Sequence, residues 1–343
     1  MDHSIEVRDH GRGIALDYND AEKCFNWELV YCEMYAGGKY DNIGGGNYEF
    51  SLGLNGLGAC ATQYSSEFMD VTVRRDGFRY DLHFEKGRNK GGLKKEPADR
   101  KKTGSLFRWR PDKQVFTDIN IPTEYFKEVL HRQAAINYGV KFLLEIEGDD
   151  GKVENFEYFY SAEDGLREYL CELAENKFLT EPVFWQSKTR GKDRGDRQEY
   201  PLEADYVFCF TQALGVQEYY HNSSFLENGG SPDKATRLGF VAQIDQFLKQ
   251  NNKYQKSDSK ISFQDIEDCL VLVISSFSTQ TSYANQTKKA ITNKFIQDAM
   301  TDFIKHQLEI YFIENPLEAN KIADQVLINM RSRVKAEKTR QGM

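Results

Sequence analysis

In residues 4–9 (SIEVRD) apolar and polar side chains alternate, with Ile5 and Val7 on one face, which predicts a strand. Residues 26–35 (NWELVYCEMY) switch to helical spacing through Trp27, Val30, Tyr31 and Met34 and stop at Gly37-Gly38. A Gly- and Asn-rich stretch, GGKYDNIGGGNY, comes next. The segment SLGLNGLGACATQYSSEF then runs from a glycine turn into a short helix. Residues 68–75 and 78–84 flank Asp76-Gly77, the pattern of a tight hairpin. Further strands are predicted at 104–109, 140–147 and 153–160, with a helix at 122–137. This half reads as a mostly antiparallel sheet with helices on one face, an α+β layer.

The pattern restarts near residue 161. A helix is predicted at 163–174, a polar basic loop at 186–199, and strands at 204–211 and 215–221. Residues 231–250 (SPDKATRLGFVAQIDQFLKQ) form a helix with a Ser cap and Pro in its first turn. A buried strand is expected at 269–277. A long amphipathic helix at 290–314 should carry Ile291, Phe295, Ala299, Phe303 and Leu308 near one face, and a last helix should follow Asn315-Pro316 to about residue 335. The second half is therefore a separate α/β domain. The chain divides into 1–160, 161–314 and a helical, basic 315–343.

At 343 residues the chain exceeds the usual size of one core, which agrees with two domains. It has no run of about 18 apolar residues and no signal-peptide start, so no membrane contact is expected. Its six scattered cysteines include no CxxC pair, which suits reduced thiols in a cytoplasm rather than a disulfide framework or zinc site. The net charge of −8 does not advertise nucleic-acid binding, yet ten Lys or Arg residues lie between Arg88 and Lys113 against three acids. KTRGKDRGDR (188–197) and the tail from Arg331 to Arg340 are basic too. Each patch alone reads as a solvated loop or helix; together they leave room for phosphate contacts.

Residues 7–14, VRDHGRGI, hold the first candidate chemistry. Asp and Gly are ordinary turn residues after a strand. A carboxylate at Asp9 is also a strong acceptor for an exocyclic amino group such as that of adenine. Gly11 and Gly13, lacking Cβ, would let backbone lie against a flat base. GLNGLGA (53–59) could present successive N–H groups to an anion at a helix start, or be only a glycine turn. Thr103-Gly104-Ser105 could add a hydroxyl beside Asp9, or merely cap a turn.

In this order, DHGRGI, GGKY…GLNGLGA and TGS resemble the nucleotide-binding motifs of the GHKL ATPases, most closely the B subunits of the bacterial type IIA topoisomerases. FYSAEDGLREYL, YHNSSFLENGGSPDKATRLGF and NQTKKAI are similar to that family's transducer domain, so the likeness covers nearly the whole chain. It implies a Bergerat-type α/β sandwich ATPase domain, an α/β transducer domain and long C-terminal helices. By the same resemblance Asp9 accepts from adenine, helped by Ser105 through a water, and Gly11, Gly13 and Ile14 floor the base pocket. Tyr48 packs near ring and ribose. Lys39 and the segment Gly53, Leu54, Asn55, Gly56, Leu57 and Gly58 hold the triphosphate. Gln286 and Lys288 touch the γ-phosphate from the second domain, and Arg75 stands at a rim that family inhibitors contact.

The resemblance further implies ATP and Mg²⁺ as cofactors. The implied partners are a topoisomerase A subunit, double-stranded DNA and a second copy of the chain, in a bacterial cytoplasm at the nucleoid. Ala15 stands where the family has proline, Asn55 where bacterial members have histidine, and GGSP where GGTH is commoner. The insert before Tyr48 is longer than usual. The family's general-base Glu and Mg²⁺-binding Asn lie on a helix well upstream of Asp9, and only eight residues precede Asp9 here. The Toprim domain that follows the transducer is also missing. The expectation is a fragment truncated at both ends, inactive alone but part of an ATP-hydrolysing gate that captures DNA. The alternative is a nucleotide-dependent dimerisation or regulatory module of the GHKL superfamily that does not hydrolyse ATP.

Overall fold

The computed structural model describes residues 2–36 and 56–341. These fall into two compact units, Met1–Lys127 with Leu144–Phe156 and Glu128–Leu143 with Glu157–Met343. In chain order the first contains β1 (Ile5–Asp9), the short pair β2 (Tyr18–Asn19) and β3 (Cys24–Phe25), α1 (Asn26–Tyr31), α2 (Gly58–Tyr64), β4 (Ser66–Arg75), β5 (Phe78–Glu85), β6 (Arg88–Asn89), β7 (Lys94–Pro97) and β8 (Gly104–Pro111). Its sheet runs β1-β8-β4-β5-β6, with β7 also paired to β5. The β4–β5 hairpin turns at Asp76 and Gly77, both at positive φ (54° and 82°). Such a turn has the twist of the flanking strands.

Alternation along β4 and β5 sends Met69, Val71, Val73, Tyr80, Leu82 and Phe84 to one face, where they pack with Leu16, Val30 and Tyr31. The opposite face is polar: Asp70 Oδ1 lies 2.6 Å from His83 Nδ1, and Arg110 Nε donates to Glu67 at 2.9 Å. Helix α1 is shorter than its spacing suggests. It stops at Tyr31, Tyr35 sits at φ 63°, and Met34 is 63% exposed rather than part of the core. The basic stretch after Arg88 contains the two short strands β6 and β7, which its charge concealed.

The chain passes between the units three times, within α3 (Thr123–Ile136) and within the two strands of a hairpin, β9 (Phe142–Glu147) and β10 (Val153–Tyr158). The second unit continues with α4 (Gly165–Leu173), β11 (Val183–Gly191), β12 (Tyr200–Phe210), β13 (Val216–His221), β14 (Ser224–Phe225), α5 (Ser231–Gln250), α6 (Phe263–Glu267), β15 (Leu270–Ser278), α7 (Lys294–Glu314) and α8 (Pro316–Gln341). Its sheet order is β11-β12-β15-β13-β14, and β13 pairs with β15 in parallel through the crossover containing α5 and α6. One core joins Tyr206, Phe208, Leu272 and Ile274 to α5, α7 and α8. A second, on the other face, joins Val207, Cys209, Val271 and Val273 to α4 and the end of α3. Burial on both faces explains the unbroken apolar runs 206–210 of β12 and 270–274 of β15.

Three expected boundaries move. Residues 186–191 are not loop: β11 runs to Gly191, paired residue by residue with β12 as far as Tyr200. As an edge strand it tolerates Lys188 and Arg190. Helix α7 starts at Lys294 instead of 290, because Ile291 is held in bridges to Gly230 and Tyr283. Its most buried line is Ile296, Met300, Ile304 and Leu308, whereas Phe295, Ala299 and Phe303 pack at the flank. Helix α8 extends past 335 to Gln341. Among the described residues no helix is long and apolar enough to cross a membrane, and all six cysteines are free.

Candidate functional site

Strand pairing decides what stands beside Asp9. The antiparallel β1–β8 ladder puts Asp9 opposite Ser105, and β8–β4 puts Ser105 opposite Val73. Residues sharing a rung point to the same face, so the carboxylate and the buried hydroxyl of Ser105 are neighbours at the end of the sheet. The Asp9 carboxylate is exposed and its Oδ1 accepts the Gly11 N–H at 2.8 Å, which fixes its rotamer. The chain then folds back across β4. Gly13 has φ 76°, and a Cβ there would lie 2.8 Å from both the Arg74 carbonyl oxygen and Val73 Cγ1. Its own carbonyl accepts from Arg75 Nη1 at 2.9 Å, while Arg75 Nε reaches Asp76 at 3.1 Å. Ile14 packs at the edge of the core below.

The structure thus brings Asp9, Gly11, Gly13, Ile14, Arg75 and Ser105 together at one end of the first unit's sheet. Gly104 joins them, a residue that sequence reasoning placed at the start of a strand without giving it a role. At φ 132°, a Cβ on it would fall 2.2 Å from the Asp9 carbonyl oxygen. Only a residue without Cβ lets β1 close on β8 there. The signal was the TGS triplet itself, but the reason lay in the pairing.

Leu57 is the N-cap residue of α2 and accepts from the Ala61 N–H at 2.8 Å, with no side-chain cap. Gly56, at φ 61°, precedes it, and none of the described residues lies within 4 Å of a Cβ position on Gly58, the first helical residue. The opening N–H groups of a helix lack intrahelical acceptors, so this turn offers donors. Lys39, Tyr48, Gly53, Leu54 and Asn55 lie outside the described residues.

Gln286 and Lys288 belong to the second unit, in the loop between β15 and α7. Gln286 is exposed; Lys288 is half-buried at φ 58°, with Nζ 5.7 Å from the Tyr283 ring centroid. Burial pulls the Lys288 ammonium below its ordinary pKa. The loop is closed by Ala284 N–H to Ala290 O (2.9 Å) and Thr292 N–H to Ser282 O (2.7 Å). Gly230 seats it: at φ 95°, a Cβ there would lie 2.2 Å from the Ile291 carbonyl oxygen. Sequence reasoning gave no role to the buried polar residues around the stem, His221, Asn222 and Asn293: the first two lie in the YHNSSF segment, in and beside a predicted strand, and Asn293 fell within a predicted helix.

Part of each basic patch is paired within the fold. Arg108 meets Asp2 at 3.2 Å, and Lys95 Nζ lies 4.3 Å from the Phe78 ring centroid. On α8, Arg331 and Arg333 form forked pairs with Asp258 and Asp265.

Residues 165–342 match the family model described as DNA gyrase B. The DNA gyrase B protein of Spiroplasma citri is 25% identical over 349 residues, covering 99% of this chain and 52% of the relative. The DNA topoisomerase 4 B protein of Francisella tularensis is 28% identical over 339 residues, covering 98% and 52%. The chain spans about half the length of these relatives. Among solved structures, the Francisella tularensis topoisomerase IV ATP binding domain, in complex with a small-molecule inhibitor, superposes with TM-score 0.72 at 25% identity over 97% of this chain and 84% of that one. The 43K ATPase domain of Thermus thermophilus gyrase B, in complex with an aminocoumarin, superposes with TM-score 0.66 at 22% identity, over 100% and 84%.

Proposed function

This chain belongs to the DNA gyrase B family, and on that footing we propose that it is the ATP-binding and transducer part of an ATP-dependent type IIA DNA topoisomerase. Its first unit has the fold of a GHKL ATPase domain. The observation that carries the reading is the Asp9–Ser105 rung with the Gly11–Gly13 turn folded over it. A carboxylate has about four acceptor positions, and the Gly11 N–H uses one, so the anion is held in place and can still accept from the exocyclic amino group of adenine. Ser105 shares that contact through a water, and the turn from Gly11 to Ile14 forms the floor beneath the base.

Arg75 stands at the rim, oriented by its bond to the Gly13 carbonyl. The triphosphate falls to the N–H groups of Gly56, Leu57 and Gly58 with Gly53, Leu54, Asn55 and Lys39. Tyr48 flanks the ribose. Gln286 and Lys288 read the γ-phosphate. Mg²⁺ enters with the triphosphate; no group of three His, Cys, Asp or Glu among the described residues could hold a metal ion. Bound ATP supplies the phosphoryl group whose presence distinguishes the two states of the gate. A lysine that contacts ligand in only one arrangement biases the equilibrium toward it. In the whole enzyme two such chains close around duplex DNA and work with an A subunit.

Titration of the full chain with a fluorescent ATP analogue tests the reading. A charge-assisted hydrogen bond contributes about 1.5–3 kcal/mol, so Asp9→Asn should weaken binding by about ten- to a hundredfold. Equal affinities would remove Asp9 from the site.

A further inference from the structure

The loop bearing Gln286 and Lys288 leaves β15 at Ser278, beside a buried imidazole that no binding role claims. His221, at the end of β13, is wholly buried. Its Nδ1 lies 2.8 Å from Ser276 Oγ, and its Nε2 lies 2.9 Å from Ser278 Oγ and 3.0 Å from Thr281 Oγ1. Proton positions follow from the hydroxyls. Ser276 donates to the Tyr220 carbonyl at 3.0 Å, so toward His221 it can only accept, and the imidazole proton sits on Nδ1. Nε2 is then an acceptor. Both Ser278 and Thr281 can donate to it, and with the Ser278 proton on the Gln280 carbonyl at 2.8 Å the donor is the Thr281 hydroxyl. Burial keeps the imidazole neutral, with its pKa pushed down to about 3.

Asn222, next in sequence, adds a rung beyond the end of the ladder. Its Oδ1 accepts the Ser278 N–H at 3.0 Å and its Nδ2 donates to the Ser278 carbonyl at 3.1 Å. The far stem is held by Asn293, whose Oδ1 accepts the Ser282 N–H at 2.7 Å and whose Nδ2 donates to Asp193 and to Tyr200, both at 3.0 Å. Asp193 also accepts the Phe295 N–H at 2.9 Å at the start of α7. Both stems are thus fixed by buried side chains, and the contact made from β13 to a loop side chain ends on Thr281.

We propose that His221 is a positioning residue: through the Thr281 hydroxyl it holds the loop in the arrangement from which Gln286 and Lys288 read a γ-phosphate. The proposal rests on the nucleotide reading above. A core-filling histidine would need only its volume. A positioning one needs an acceptor at Nε2, which glutamine reproduces and asparagine, reaching only as far as Nδ1, does not.

The test uses the full chain with His221→Gln, His221→Asn and Thr281→Val. Amide hydrogen exchange is followed at Ala284 and Thr292, and affinity is measured for a non-hydrolysable triphosphate analogue against ADP. His221→Asn and Thr281→Val should speed exchange at those amides by about three- to tenfold and lower the triphosphate preference by a similar factor, the range of one lost hydrogen bond. ADP affinity should stay unchanged, and His221→Gln should behave as wild type. If His221→Asn does not fold, Thr281→Val still removes that contact from the loop side, together with the longer one from Asn222 Nδ2 at 3.4 Å. Unchanged exchange and preference in Thr281→Val would overturn the proposal, as would equal behaviour of the Gln and Asn variants. A wild-type chain that binds ADP but shows no triphosphate preference refutes the role of Gln286 and Lys288 and this proposal with it. One that binds neither nucleotide refutes the functional reading itself.

Discussion

Gly104→Ala tests whether the strand register is what presents the Asp9 carboxylate. The new methyl would sit 2.2 Å from the Asp9 carbonyl oxygen and 3.1 Å from His10 Cα, at a residue with φ 132°. Holding an L-residue in so sparsely populated a region costs about 1–3 kcal/mol, and forcing an extra carbon into a closed contact costs about 1–3 kcal/mol more. The molecule has a cheaper escape. Strand β1 is an edge strand and its Val7 is 48% exposed, so its last rungs can peel from β8 for about 0.5–1.5 kcal/mol per hydrogen bond lost. Urea unfolding should therefore report a loss of about 1–3 kcal/mol rather than the full sum. Peeling moves Asp9 away from Ser105, so nucleotide affinity should fall at least as far as in Asp9→Asn. The double variant Gly104→Ala, Asp9→Asn should bind no more weakly than the worse single variant, because both remove one contact. A Gly104→Ala protein that binds the ATP analogue within about twofold of wild type would refute the argument.

Lys288→Ala should keep ADP affinity and lose most of the preference for a triphosphate analogue; equal falls in both would make Lys288 a general or structural residue. Arg333→Ala should destabilise the second unit by about 1–3 kcal/mol in denaturant melts, because Asp265, 1% exposed, would keep only the Ser262 N–H and hydroxyl as donors; a loss under about 0.5 kcal/mol would mean that the pair behaves as a surface bridge. His83 has its pKa raised by hydrogen bonds to Asp70 and Glu85. A raised folded pKa means that the protonated form is favoured in the folded state. The contribution is complete below the ordinary imidazole pKa and is lost as pH rises through the raised one. Thermal melts between about pH 6 and pH 9 should show a decline that His83→Gln flattens, and identical profiles would sink the assignment.

Local pattern settled more of this molecule than its site. Asp76-Gly77 allows the two positive φ angles of a hairpin turn, and the flanking alternation could not be read otherwise. Pro232 and the apolar spacing after it mark α5 from Ser231 to Gln250. DHGRG and TGS named residues that end up together. These inferences rest on forces that act within a few residues: turn sterics, the fixed φ of proline and the period of one face. Other features needed partners distant in sequence. The charged residues 186–191 form a strand because β12 offers it a ladder, and Ile291 leaves the helical pattern because Gly230 and Tyr283 bridge to it. The parallel pairing of β13 with β15 leaves no mark on either strand alone. Asp9 has a hydroxyl beside it because β1 joins β8 rather than its neighbours in the chain, and Gly104 is indispensable only once that ladder closes. His221 looks like any strand residue until the fold surrounds its ring with Ser276, Ser278 and Thr281. Sequence specifies which faces must be buried; which distant face covers them is a choice among competing pairings, and the free energy of the whole packed chain makes it.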